Sequence, residues 1–307
     1  MNKVFDTINE QINPTDIRLI LPENDSRIFE AKKELKKIGF QIVENDDYKD
    51  YFDLFYKDAK KLKFSKNWPE EKLHSYILNP INYGIFILKS GYADVLIAGA
   101  ATPTSEVIRS GLRVVGIKSS SICLSSSFLM VPLNGERIFS YADCAVIPEP
   151  SDKELADIAY DTAINHKLLT EQDPKVAFLS FSTNSSANHY RVTKVKNAIK
   201  IFKKKYNNIL HETMEVQFDA AVSIDVVNKK YPKSVLKGSA NVLIYPNSDA
   251  GNIAYKITER IGGYNAIGPL LQGFKKPIHD LSRGCSVKDI VNVSLIGAYQ
   301  GMKSANI

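Results

Sequence analysis

Four short apolar runs, each followed by a stretch with helical spacing, constrain this chain more than any other feature. They are Ile17 to Leu21, Ala93 to Ala98 (ADVLIA), Lys175 to Phe181 (KVAFLSF) and Asn241 to Tyr245 (NVLIY). A strand that faces water on one side alternates apolar and polar residues. These runs are continuous and contain β-branched residues, as strands buried on both faces do in a parallel sheet. Helical patterns lie between them. Ser151-Asp152-Lys153-Glu154 reads as a capping box opening a helix with Leu155, Ile158, Ala159 and Thr162 on one side. Strands alternating with helices predict an α/β fold.

One segment departs from that pattern. Ile122 to Ile147 holds two apolar runs separated by Asn134-Gly135-Glu136, which predicts a β-hairpin. A chain of 307 residues can build two domains, each with its own core.

Composition excludes several classes. With 44% hydrophobic and 24% charged residues, the chain is not wholly disordered. The net charge of +6 suits anionic ligands. The densest basic cluster, Lys194, Lys196, Lys200 and Lys203 to Lys205, alternates with Val195, Ala198, Ile199 and Phe202. That is the wet face of an amphipathic helix, so no nucleic-acid partner is expected. The three cysteines, Cys123, Cys144 and Cys285, and the five scattered histidines suggest neither a disulfide framework nor a metal site. No apolar run reaches the roughly 18 residues of a membrane span, and no signal core opens the chain. A cytoplasmic protein with reduced thiols and no membrane partner is expected.

Loops at the carboxyl ends of strands are where open α/β sheets bind ligands. Tyr245 to Asn252 (YPNSDAGN) is one such loop, leading into a helical pattern with Ile253, Ile257 and Ile261. The plain alternative is a turn with Asp249 or Asn252 as helix cap. Pro277 to Asp289 (PIHDLSRGCSVKD) leads into a helix from about Val287 to Tyr299. Unpaired N–H groups at a helix start, the guanidinium fork of Arg283 and the hydroxyl of Ser282 together suit an oxyanion or phosphate. Ser286-x-x-Asp289 also fits a capping box, Arg283 a surface ion pair and Ser282 an ordinary turn. Arg109 follows the Gly99-Ala100 turn about one helical turn after a Thr104 or Ser105 cap. It is either at the mouth of a strand-end crevice or simply solvent-facing.

SFSTNSSA (Ser180 to Ala187), EVQFDAA (Glu215 to Ala221), DAGNIAYK (Asp249 to Lys256) and GPLLQGFKKPIHDLSRG (Gly268 to Gly284), in that order along the chain, resemble the phosphate acetyltransferase family. The resemblance is strong from about residue 75 onward and weak over the first 60. It implies two α/β domains with the active site in the cleft between them, similar to isocitrate and isopropylmalate dehydrogenases. The domain limits expected are 1–121 with 268–307, and 122–267. It also implies a homodimer and no tightly bound cofactor or metal, with coenzyme A or acetyl-CoA and phosphate or acetyl phosphate as substrates.

By the same resemblance, Asp289 is the general base, and Arg283 and Ser282 complete the catalytic set. Arg109, Lys63, Thr104, Asn252, Tyr255, Lys256, Gln272 and Gly273 take substrate-binding places. Lys63 stands where relatives carry arginine, so it keeps the charge but not the bidentate fork. Asn79 replaces a usual aspartate, and Pro103 a common serine. The acyl group implied is acetyl. A phosphate butyryltransferase-like enzyme with a longer acyl group and a non-catalytic relative binding coenzyme A or phosphate are the alternatives. An NAD-dependent decarboxylating dehydrogenase is disfavoured, because the chain has no GxGxxG loop and no aspartate cluster for a metal.

Overall fold

The computed structural model describes residues 3–134 and 137–304. Ten strands run in chain order: β1 (Arg18–Ile20), β2 (Gln41–Val43), β3 (Val95–Ala98), β4 (Ser125–Pro132), β5 (Phe139–Ala142), β6 (Lys175–Phe178), β7 (Leu210–His211), β8 (Val242–Ile244), β9 (Tyr264–Gln272) and β10 (Ile278–Asp280). The chain divides into two compact units, Met1–Lys118 with Phe274–Ile307, and Ser119–Gly273. Each unit is α/β, with one sheet.

The first unit holds a four-stranded sheet in the order β10-β3-β1-β2, parallel throughout. All four residues of β3 are fully buried, as a two-sided strand requires. Burying Val95, Leu96 and Ile97 stabilises the fold by about 1.5–3 kcal/mol each. The helix Ser26–Ile38 follows β1. Asp25 caps its start by accepting from the Arg27 N–H, and Gly39 in the left-handed conformation ends it.

The second unit holds six strands in the order β7-β6-β8-β5-β4-β9. The pairs β7–β6, β6–β8 and β8–β5 are parallel, whereas β5–β4 and β4–β9 are antiparallel. The expected hairpin is present as β4 and β5, with Ser127 opposite Ala142 and Met130 opposite Phe139. Gly135 and Glu136 of its turn lie outside the described residues. The capping box at Ser151 also forms, and opens the helix Asp152–Thr170. The lysine-rich segment is the helix Tyr190–Lys205, with Val192, Val195, Ala198, Ile199 and Phe202 buried.

Strand β9 is not apparent in the sequence, where residue 268 reads as a boundary. Proline cannot donate to a ladder and is confined to edges and bulges. Here Pro269 satisfies both conditions. β9 is an edge strand, and its register against β4 shifts between Leu129↔Ile267 and Ser127↔Leu270. Because β9 pairs with β4 from Tyr264 to Gln272, the unit boundary falls after Gly273.

The loop after β8 differs from its expected form. The helix Ser248–Ile261 is capped by Asn247, which accepts from the Ala250 N–H at 3.0 Å, not by Asp249 or Asn252. Its Ile253, Ile257 and Ile261 face solvent, at 59%, 52% and 83% exposure. The face packed on the core carries Ala250, Ala254 and Tyr255, and Tyr255 stacks on Phe128 at 3.9 Å. The helix approaches the loop after β5 so closely that a Cβ on Gly251 would lie 2.4 Å from the Asp143 carbonyl oxygen. Among the described residues, no helix is long and apolar enough to cross a membrane. Gly251→Ala is expected to destabilise the protein by about 1–3 kcal/mol through overpacking, read as a lower urea midpoint; an unchanged midpoint would show that the helix can move away.

Candidate active site

In the first unit, the loops after β1, β3 and β10 leave the same edge of a parallel sheet. The loop after β3 runs from Gly99 to Pro103 and enters the helix Thr104–Val114. Four consecutive backbone N–H groups in it point at one carboxylate. Glu23 Oε2 accepts from Gly99 and Ala100 at 2.8 Å each, and Oε1 from Ala101 at 3.0 Å and Thr102 at 2.7 Å. Successive N–H groups of this kind form an anion-binding concavity. Here the chain fills it with its own buried carboxylate.

Arg27 ties this loop to the one after β10. Its Nε and Nη2 bind Asp25 at 3.0 and 2.8 Å, and Nη2 also donates to the Ala100 carbonyl at 2.7 Å. Nη1 donates to the carbonyls of Arg283 at 2.8 Å and Cys285 at 3.0 Å. All five guanidinium hydrogens are thereby engaged. The same guanidinium holds the Asp25 carboxyl below its usual range.

Asp280 makes the second tie. Thr104 does not cap its helix: the N-cap is Pro103, and the Thr104 hydroxyl donates instead to Asp280 Oδ2 at 2.5 Å. The Leu281 N–H reaches the Ala98 carbonyl at 2.8 Å. Among the described residues Asp280 Oδ1 has no partner, and a Cβ at Gly99 would stand 2.3 Å from it. Gly99 also has φ +106, so glycine is required there for both space and conformation. Burial pushes the Asp280 carboxyl up to about 7, and the Glu23 charge adds to the rise against the pull of the Thr104 hydroxyl.

On this frame sit the residues singled out from the sequence. Ser282 and Arg283 are exposed, and Ser282 Oγ accepts from the Gly284 N–H at 3.3 Å. The helix beyond them is Val287–Ser304, longer than expected. Its capping box is formed: Asp289 Oδ2 accepts from the Ser286 N–H and hydroxyl at 2.8 Å each, and the Asp289 N–H donates to Ser286 Oγ at 3.2 Å. Asp289 Oδ1 makes no hydrogen bond among the described residues.

Arg109 lines a cavity of about 190 Å³ with Tyr76, Asn79, Thr102, Glu106 and Arg113. Lys63 is exposed and does not line it.

The other predicted substrate residues belong to the second unit. Asn252 Nδ2 donates to the Cys144 carbonyl at 3.1 Å, and Tyr255 is half-buried against Phe128. Lys256 is exposed, with its ammonium 5.8 Å from the Tyr255 ring. Gln272 is buried: its amide donates to Ser125 Oγ at 3.0 Å and Thr162 Oγ1 at 2.8 Å, and accepts from Asn165. Gly273 has φ +108, and a Cβ there would meet the Cys123 carbonyl at 2.6 Å. Two of the family-like segments interlock in this unit. Ser182 Oγ and the Ser185 N–H both donate to the buried Glu215 Oε1, at 2.8 and 2.7 Å.

A family model described as phosphate acetyl/butaryl transferase matches residues 4–298. This chain belongs to that family. Phosphate acetyltransferases so named from Staphylococcus aureus and Bacillus subtilis are 35% and 34% identical to it. The matches cover 99% and 98% of this chain and 100% of each relative. A phosphotransacetylase structure from Streptococcus pyogenes superposes with a TM-score of 0.88 at 32% identity, covering 98% of both chains.

Four positions escape a reading of the sequence: Glu23, Arg27, Asp280 as a loop tie, and Arg113. Glu23 and Arg27 follow β1, so the strand-end rule that flags the other loops applies to them as well. Their backbone partners on the other loops, however, are 73 to 258 residues away, which no local pattern displays. Among the described residues, no group of side chains could hold a metal ion.

Asp280 gives a pH test. A carboxyl whose pKa is higher in the folded than in the unfolded state binds more protons when folded. Its contribution therefore weakens as pH rises from about 4 to about 7, then levels off. Asp280→Asn cannot ionise and keeps an acceptor for Thr104. Its unfolding free energy relative to wild type is expected to rise between pH 5 and pH 8 in urea titrations. A constant difference would place the Asp280 pKa in the ordinary range.

Proposed function

We propose that this chain is a phosphate acetyltransferase that joins acetyl phosphate and coenzyme A by direct attack, giving acetyl-CoA and phosphate reversibly, with no acyl-enzyme. The observation that carries the mechanism is the state of Asp289. Its Oδ2 is immobilised by the helix cap, and its Oδ1 is left available on the exposed surface that also bears Ser282 and Arg283. The cap and general-base readings of Asp289 are thus compatible.

A coenzyme A thiol has a pKa of roughly 8.5, so only a few per cent is thiolate at neutral pH. In this reading Asp289 takes the thiol proton as sulfur attacks the acetyl carbonyl carbon. The new S–C bond forms, the C–O bond to phosphate breaks, and phosphate leaves with the bond electrons. Base assistance of this kind contributes about 10²–10⁴-fold. Negative charge on the carbonyl oxygen is met by Arg283, Ser282 and the N–H groups at the helix start. Each such donor is worth about 10²–10³ in rate. Arg109 holds phosphoryl oxygens, with Thr104 and Lys63 among the substrate contacts. Asn252, Tyr255, Lys256, Gln272 and Gly273 are proposed to shape the substrate region of the second unit. Coenzyme A is a substrate in this scheme, and no tightly bound cofactor takes part.

A fold kinship with isocitrate and isopropylmalate dehydrogenases is part of the proposal, supported by the parallel strand pairs within α/β units. So is a place in the cytoplasm, consistent with three free buried thiols. So is a homodimer. The stripe of exposed Ile253, Ile257 and Ile261, spaced one turn apart, is an apolar face that a second copy of the chain would cover.

Asp289→Asn keeps the cap acceptor, and is expected to lower kcat by about 10²-fold or more in a thioester-formation assay with acetyl phosphate and coenzyme A. Near-normal turnover would leave Asp289 a cap only. For the dimer, Ile257→Asp is expected to give monomers by sedimentation velocity. A variant that sediments like the wild-type dimer would locate the contact elsewhere, and a monomeric wild type would end the dimer reading.

A further inference from the structure

We propose that Arg109 and Arg113 together form a two-guanidinium seat for a phosphate group, with Arg113 a substrate-positioning residue of this enzyme. Arg113 lies in the helix Thr104–Val114, four residues beyond Arg109. Side chains at that spacing are neighbours on one helix face. Both line the same cavity of about 190 Å³.

Arg113 is held in place before any ligand arrives. Its guanidinium carbon lies 5.4 Å from the Phe64 ring and 5.5 Å from the Trp68 ring. Contact with the two aromatic faces restrains the long side chain. The planar fork of N–H donors then remains for an anion, with less rotamer freedom to lose on binding.

The charge balance favours an anion. Among the described residues, neither arginine has a carboxylate within ion-pair distance. Among the described residues, Glu106 is the single carboxylate in the wall, so two guanidinium cations face one anion there. Like charges four residues apart on a helix repel, and a bound dianion relieves that repulsion. The remaining lining includes Tyr76, Asn79 and Thr102, which are hydrogen-bonding groups.

The seat also bears on Lys63. Lysine is a point charge without the guanidinium fork. Phe64, the next residue, is one of the rings against which the Arg113 guanidinium rests. Arg113 is thus the forked cation nearest to this segment that lines the cavity.

The substrate assignment rests on the acetyltransferase reading; the anion seat does not. The shared ligand chemistry is a phosphate group, and its source is either acetyl phosphate or a phosphate of coenzyme A. Trp68 is the one tryptophan in the chain, so its emission reports on the ring against which Arg113 rests. Wild-type protein, Arg113→Lys and Arg113→Gln would be titrated with inorganic phosphate at constant ionic strength while Trp68 fluorescence is followed. The expected result is a saturable change in wild type, with a midpoint raised about tenfold or more in both variants, as loss of a forked charge-assisted contact implies.

In parallel, the KM values for acetyl phosphate and coenzyme A would be measured. The one that rises by about tenfold, more than kcat falls, identifies the source of the phosphate. Arg113→Lys keeps the stem and charge, so it decides the matter if Arg113→Gln fails to fold. A wild-type titration that does not saturate overturns the proposal. So do folded variants that bind phosphate at the wild-type midpoint. If wild-type protein forms no acetyl-CoA, the acetyltransferase reading fails, and the phosphate titration still decides the seat.

Discussion

The exposed catalytic candidates of the first unit depend on Arg27. Its five N–H groups join Asp25, Ala100, Arg283 and Cys285, and so draw three strand-end loops into one hydrogen-bonded frame. Loops carry functional side chains but are held by few buried apolar contacts. A planar guanidinium with a fixed donor geometry compensates: it sets backbone positions on separate segments at once. The Ser282 and Arg283 side chains are exposed, yet their backbone is held by a residue distant in the chain.

Glu23 works alongside it with the opposite sign. The four N–H groups of the loop after β3 could each bind an anion, but the chain supplies its own carboxylate. That shapes the electrostatics of the loop. The cationic side chains that line the nearby cavity are further along the helix Thr104–Val114, Arg109 and Arg113. Asp280 is buried, which is the main reason its proton is held to near neutrality, and the nearby Glu23 charge adds to the rise.

Much of the fold was legible because two-sided burial writes itself into short runs. ADVLIA and NVLIY are strands for the same reason that they look like strands. Strand β9 was hidden because Gly268 and Pro269 break every local strand rule, and only the bulge against β4 and an edge position make them admissible. The isoleucines of the helix Ser248–Ile261 misled in the other direction. Their spacing is that of a buried face, but the helix turns Ala250, Ala254 and Tyr255 to the core and leaves Ile253, Ile257 and Ile261 outside. Periodicity reports that a face is apolar, not what it packs against.

By itself, the sequence determined the α/β class, the capping box at Ser286 and Asp289, and membership in an acyltransferase family, because each is carried by residues adjacent or regularly spaced in the chain. Tertiary structure alone decided that Thr104 binds Asp280 rather than capping its helix, that Glu23 fills the N–H nest, and that Arg113 rests against Phe64 and Trp68. The first of these contacts joins residues 176 apart in the chain, and the second begins with a pair 76 apart. A hydrogen bond or cation–aromatic contact is satisfied by distance and angle in space, and chain folding, not spacing along the chain, brings such partners within reach.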